Sequence, residues 1–192
     1  PRWTWGGDDC SASRTMLLRG LIAQGRPGDM PLVHHNLHGI LSGHARGEHG
    51  SFYYELPWAR VLLQRLQVQA GASVLPDELR AALDGTLEEA REQVAREQRS
   101  DGGWGSPLRT AMNLEVLSGG TPPGLALERG LRYLCDTQGP DGSWASEPFF
   151  LTIGKPPYPE HPHGGPELTT ALCLSAAARA LRSLRGDTHG HD

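Results

Sequence analysis

The feature that most constrains the fold is a seven-residue segment that occurs twice, forty residues apart. Both copies, at Gln98–Trp104 and Gln138–Trp144, read Q-x-x-D-G-x-W. An Asp-Gly pair favours a turn, and a fixed period of this size is typical of architectures made from one repeated supersecondary unit. We therefore expect an array of similar units whose neighbours bury each other's apolar faces.

Each copy lies between two segments whose apolar residues are spaced by three and four positions, the pattern of amphipathic helices. The segments that end at the turns are Thr86–Arg99 and Leu125–Thr137. Those that follow the turns are Leu108–Leu117 and Glu167–Leu184. The predicted unit is thus a helix, a turn and a second helix.

Two weaker copies extend this pattern toward the N-terminus. The aromatic residues of the four copies follow one another at intervals of 49, 52 and 40 positions, and they are Trp3, Phe52, Trp104 and Trp144. Helices are also predicted over about Asp9–Gln24 and Pro57–Ala70. The sequence therefore predicts an all-α fold of about seven or eight helices, in a single domain that spans residues 1–192.

The first copy lacks the helix that should precede its turn. Two interpretations stay open. The chain is either a fragment of a longer protein, or a short protein that leaves its array open or completes it by dimerising.

Composition narrows the class of protein. Apolar residues make up 38% of the chain, charged residues 21%, and the net charge is −4, which is typical of globular proteins. The basic residues are scattered, which argues against a nucleic-acid partner. The longest apolar run, Ala171–Leu181, is too short to span a bilayer. Because Pro1–Cys10 lacks a secretory signal, we expect a cytoplasmic protein; peripheral membrane contact and a homo-oligomer stay open.

The stretch Arg129–Trp144 resembles the QW repeat of squalene-hopene cyclases, oxidosqualene cyclases and class II terpene cyclases. In that family the Gln and Trp tie an outer helix to the start of an inner helix, and the repeats form an (α/α) barrel, or toroid, around a central cavity. The resemblance implies an α/α toroid here, whether complete or partial. It implies structural roles for Gln98, Gln138, Trp104 and Trp144.

Chemistry is expected at the starts of inner helices, where unpaired N–H groups and the helix dipole favour a carboxylate. Gly6–Ala12 reads G-G-D-D-C-S-A, which resembles the D-x-D-D-T-A motif of class II cyclases, with Gly6 in place of the first Asp. The resemblance implies that Asp8 protonates an alkene or epoxide, with Asp9 as its neighbour. Two such carboxylates in an apolar cavity cannot both ionise easily, so one would stay protonated. Alternatively, one of them only caps the helix.

Aromatic residues and one carboxylate cluster near the expected starts of inner helices. They are Trp5, Tyr53, Tyr54, Glu55, Trp58, Phe149 and Phe150. Such residues would suit a cavity that binds an isoprenoid chain and stabilises cationic carbon through ring faces, although they would equally fill an ordinary core. The leading prediction is a terpene-cyclase-like enzyme without a cofactor, which cyclises or rearranges an apolar isoprenoid-like molecule.

Two alternatives stay open. Asp8 and Cys10 resemble the zinc-binding D-x-C pair of protein prenyltransferase β subunits, but Thr169 stands where that family has its histidine ligand. His34 and His38 would lie one turn apart on a helix and would supply a replacement ligand for zinc. The other alternative is a non-catalytic toroid that binds an apolar ligand or a partner chain.

Overall fold

The computed structural model describes residues 11–46, 55–70, 75–120, 124–152 and 161–186. Over these ranges the chain forms seven α-helices, one 3-10 turn and one short two-stranded ribbon, which confirms the predicted all-α class. The helices are α1 (Ser11–Gln24), α2 (Met30–Ala45), α3 (Glu55–Ala70), α4 (Asp77–Arg96), α5 (Pro107–Leu117), α6 (Leu125–Thr137) and α7 (Pro166–Arg185). None of the described helices has both the length and the apolar character needed to cross a bilayer.

The chain divides into two compact units. Unit 1 comprises Pro1–Ser51 and Trp58–Ala90, and unit 2 comprises Phe52–Pro57 and Arg91–Asp192. Helix α4 runs through the boundary, so that its first part belongs to unit 1 and its last turns to unit 2. The prediction of one domain, like that of an α/α toroid, complete or partial, stays a prediction.

The core of unit 1 consists of aliphatic side chains from its helices. Helices α1 and α2 pack against each other. The buried cluster contains Leu18, Ile22, Val33, Leu37, Ile40, Leu41, Leu63, Leu66, Leu75, Leu83 and Leu87. Each fully buried leucine contributes about 2 kcal/mol through the hydrophobic effect, so that this cluster stabilises unit 1 strongly.

In unit 2, helix α5 is the central element and packs against both α6 and α7. Every residue from 110 to 116 is buried, including the polar side chains of Asn113 and Glu115. Helix α6, by contrast, buries only Leu127, Gly130 and Leu134 along one stripe. Over these residues α5 therefore has no solvent-exposed face.

The tryptophan of each repeat turn makes the same hydrogen bond. The indole nitrogen Nε1 of Trp104 donates to the carbonyl oxygen of Val94 at 2.8 Å, and that of Trp144 donates to Leu134 at 3.0 Å. In both cases the acceptor lies ten residues earlier, in the last turn of the preceding helix. Since both rings are nearly fully buried, the indole both fills the core and satisfies a helix-terminal carbonyl.

The other residues of the motif close the turn itself. The side-chain nitrogen Nε2 of Gln98 donates to the carbonyl of Gly102 at 2.8 Å, and Gln138 donates to Gly142 at the same distance. Both glycines have positive φ, at 88° and 83°, a backbone region that favours glycine.

The aspartates of the two turns also act alike. Oδ1 of Asp101 accepts from the backbone N–H of Gly103 at 2.9 Å, and Oδ1 of Asp141 accepts from that of Ser143 at 3.0 Å. This is the hydrogen-bonded turn that aspartate favours. The same contacts lower the pKa of the exposed Asp141 carboxyl, because the backbone N–H and the hydroxyl of Ser143 both donate to its charged form.

The two repeats differ in the number of residues that separate the tryptophan from its partner in the next helix. The backbone N–H of Trp104 donates to Oγ1 of Thr110, six residues on, at 3.1 Å, whereas that of Trp144 donates to Oγ1 of Thr170, 26 residues on, at 3.2 Å. The longer path includes the ribbon of β1 (Phe150–Thr152) and β2 (His161–His163), which pair antiparallel. The sequence did not predict this ribbon, since three-residue strands are too short to show a periodicity.

Helix α6 covers the first turn. Nε2 of Gln98 makes a second hydrogen bond, to the carbonyl of Ala126 in α6, at 2.8 Å. A Cβ atom placed on Gly130 would lie 2.7 Å from the ring of Trp104, so that glycine allows the close approach. Within the described part of the chain nothing covers the second turn in this way, and Gln138 is exposed.

The two glutamines should therefore differ in their contribution to stability. We expect Gln98→Ala to lower the free energy of unfolding by about 2 kcal/mol, because it removes two partly buried hydrogen bonds, one of them between repeats. Gln138→Ala removes one exposed hydrogen bond and should cost about 0.5 kcal/mol. Urea denaturation followed by far-UV circular dichroism measures both. Equal losses would contradict the difference in contacts.

Candidate functional site

Half of the predicted site residues lie outside the described part of the chain. These are Trp5, Asp8, Asp9, Cys10, Tyr53 and Tyr54. Of Glu55 and Phe150 only the backbone is described, at the start of α3 and of β1. The roles assigned to these residues from the sequence stay predictions.

Two predicted cavity residues are described with their side chains. Trp58 is half-buried in α3, where the guanidinium carbon of Arg65 lies 5.4 Å from its ring centroid, a cation–π distance. Phe149 is half-buried in unit 2, and its backbone N–H donates to the carbonyl of His163 at 2.7 Å. One ring face of Trp58 is therefore already occupied by a cation of the protein itself.

The histidine pair lies on a helix, as the zinc alternative requires. His34 and His38 are one turn apart on α2. His34 is half-buried, and its Nε2 atom is buried without a hydrogen-bond partner among the described residues, whereas His38 is exposed. Within those residues, no three or more His, Cys, Asp or Glu side chains come together as a metal site.

The start of α5 is occupied by groups of the protein itself. The backbone N–H of Leu108 donates to Oε1 of Glu147 at 2.8 Å, and that of Arg109 donates to Oγ of Ser106 at 3.3 Å. Pro107 has no N–H, and the N–H of Thr110 donates to the carbonyl of Ser106. A carboxylate does occupy this helix start, as the dipole favours, but these N–H groups are not available to a ligand.

Glu147 is a site residue that the sequence did not reveal. Its backbone N–H donates to Oγ1 of the buried Thr169 at 3.2 Å, while its carboxylate binds the start of α5. A single residue thus joins the starts of α5 and α7. The only signal was an acidic residue three positions after Trp144, where the first repeat has Pro107.

The surroundings of Glu147 favour protonated groups. Burial, and then the negative charge of Glu147, raise the pKa of the Cys173 thiol to about 12. Burial, and then the charges of Asp101 and Glu147, raise the pKa of the Tyr133 phenol, while Arg99 acts in the opposite direction. The Cys173 thiol therefore stays protonated near neutral pH, which makes it unsuitable as a nucleophile.

Comparison with known proteins does not assign the chain to a family. No protein-family model matches the chain, and no curated protein sequence does so either. The likeness to the QW repeat consequently depends on the motif residues and on the turn that they form.

Removal of the Glu147 carboxylate tests its contact with the start of α5. We expect Glu147→Ala to cost about 1–2 kcal/mol of unfolding free energy, since the buried end of α5 loses its acceptor. Glu147→Gln keeps an acceptor oxygen and should cost less. The matched control is Glu89→Ala on the exposed face of α4, which should change stability by less than about 0.5 kcal/mol. If chemical denaturation shows no difference between the two alanine variants, the contact of Glu147 does not stabilise the start of α5.

Proposed function

We propose that the chain is a terpene-cyclase-like enzyme that cyclises or rearranges an isoprenoid substrate by proton-initiated carbocation chemistry. The observation that carries the proposal is the duplicated turn. Its Gln, Asp, Gly and Trp residues make equivalent hydrogen bonds in both copies. These hydrogen bonds support the resemblance to the QW repeat in addition to the sequence motif itself.

In the proposed reaction Asp8 is the general acid. Its protonated carboxyl would transfer a proton to one carbon of an alkene, whose π electrons form the new C–H bond, and leave a carbocation on the other carbon. With an epoxide the proton would go to the oxygen, and a C–O bond would break to give the carbocation and a hydroxyl group. Asp9 beside it would help to keep the pair singly protonated at neutral pH. Attack by another double bond would close a ring, and transfer of a proton from the final cation to water would end the sequence.

Product analysis tests this function. The chain, incubated with linear isoprenoids and with their diphosphates, should form a cyclic or rearranged product. Asp8→Asn should lower the rate at least about a hundredfold, the usual contribution of a positioned general acid. Asp136→Asn, at an exposed position of α6, is the matched control and should retain the activity. Absence of any product, or a product that persists in Asp8→Asn, would overturn the proposal.

A specific observation also favours a second function, that of a zinc enzyme resembling a prenyltransferase β subunit. Nε2 of His34 is buried and has no hydrogen-bond partner among the residues that the structure describes, and such a nitrogen carries a free-energy cost that a metal bond would remove. Zinc would then be held by His34 together with Asp8 and Cys10, which lie outside the described residues. When bound, it would supply Lewis-acid activation of a substrate thiol or water.

Elemental analysis distinguishes the two functions. The zinc function predicts one zinc per purified chain, and His34→Ala should lower the zinc content by at least about tenfold. His35→Ala, at the adjacent exposed position of the same helix, is the control and should leave the zinc content unchanged. A metal-free chain that still forms an isoprenoid product would eliminate this second candidate.

A further inference from the structure

One face of α7 is apolar although it is exposed. The packed face of this helix contributes Thr169, Cys173, Ala176, Ala180 and Ser183 to the interior. At about 100° per residue, the opposite face carries a line of six exposed residues, which we call the α7 seam. The seam consists of Glu167, Ala171, Leu174, Ala178, Leu181 and Arg185.

A surface helix normally presents polar residues on this side. In the α7 seam the four central positions are instead apolar, and Leu174 and Leu181 are 52% and 42% exposed. The seam positions are separated by four, three, four, three and four residues. This is the spacing at which two helices pack along a coiled-coil interface.

The order of residues along the seam makes it complementary to itself in the antiparallel direction. When two copies of α7 lie antiparallel about residue 176, Leu174 of one copy lies opposite Ala178 of the other. Ala171 likewise lies opposite Leu181, so that a large side chain always meets a small one.

The charges at the two ends of the seam fit the same arrangement. Glu167 and Arg185 are separated by eighteen residues, or about five helical turns, and therefore lie on the same line of the helix surface. In the antiparallel pair, Glu167 of each copy lies opposite Arg185 of the other. A parallel pair would instead place like charges together, which is unfavourable.

We propose that the α7 seam is a self-association surface, on which a second copy of this chain docks antiparallel with two-fold symmetry. The interface is of the isologous kind, in which the same patch is used on both copies. Leucine-to-alanine packing allows the helices to approach closely, and the two Glu167–Arg185 pairs set the direction and the register.

Sedimentation equilibrium of the full chain, from low micromolar to near-millimolar concentration, should show a reversible dimer. Glu167→Arg and Arg185→Glu should each raise the dimer dissociation constant about tenfold, because each replaces two attractive pairs by two repulsive ones. The double variant restores both pairs, and its dissociation constant should return to within about threefold of the original.

Leu174→Glu should abolish the dimer, whereas Leu125→Glu, at an exposed leucine of α6, should not. Circular dichroism verifies that each variant is folded. If Leu174→Glu does not fold, the charge variants still test the proposal. A chain that is monomeric at every concentration would overturn the proposal. A dimer whose dissociation constant is unchanged by the charge reversals would also overturn it. So would unfolding of the monomer when Leu174 is replaced, since the seam would then be covered by another part of the same chain.

Discussion

The described part of unit 2 depends on tryptophan side chains that make the same hydrogen bond in both repeats. The carbonyl groups in the last turn of a helix have no partner within that helix, and in both repeats an indole N–H supplies the missing donor. The backbone N–H of the same tryptophan binds a threonine of the following helix. Each tryptophan thus fixes the end of one helix and the start of the next, while its ring fills the space between them.

Helix α5 begins directly after the first tryptophan turn and packs against both α6 and α7. It is enclosed so fully that its polar residues are buried as well. Its start is then closed by Glu147, whose charge also favours the protonated forms of Cys173 and Tyr133.

Much of this was accessible from the sequence, because the repeat and the apolar spacing carry strong physical signals. Helix α6 has the predicted limits, and α5 and α7 differ from theirs by one residue at the ends. Helix α4 begins at Asp77, nine residues before the predicted start, because Asp84 and Gly85 interrupt its apolar pattern while Pro76 and two acidic residues begin it. The part played by Glu147 could not be predicted, since it depends on a loop that returns to a helix 39 positions earlier in the chain.

The unequal paths between tryptophan and threonine have a consequence for how such a protein can change. Twenty additional residues separate Trp144 from Thr170 compared with the first repeat, yet the hydrogen bond at their ends has nearly the same length. The turn and the following helix therefore keep the same connection across a much longer loop. This loop can accept further residues beyond Glu147, which itself has to remain because its carboxylate binds the start of α5.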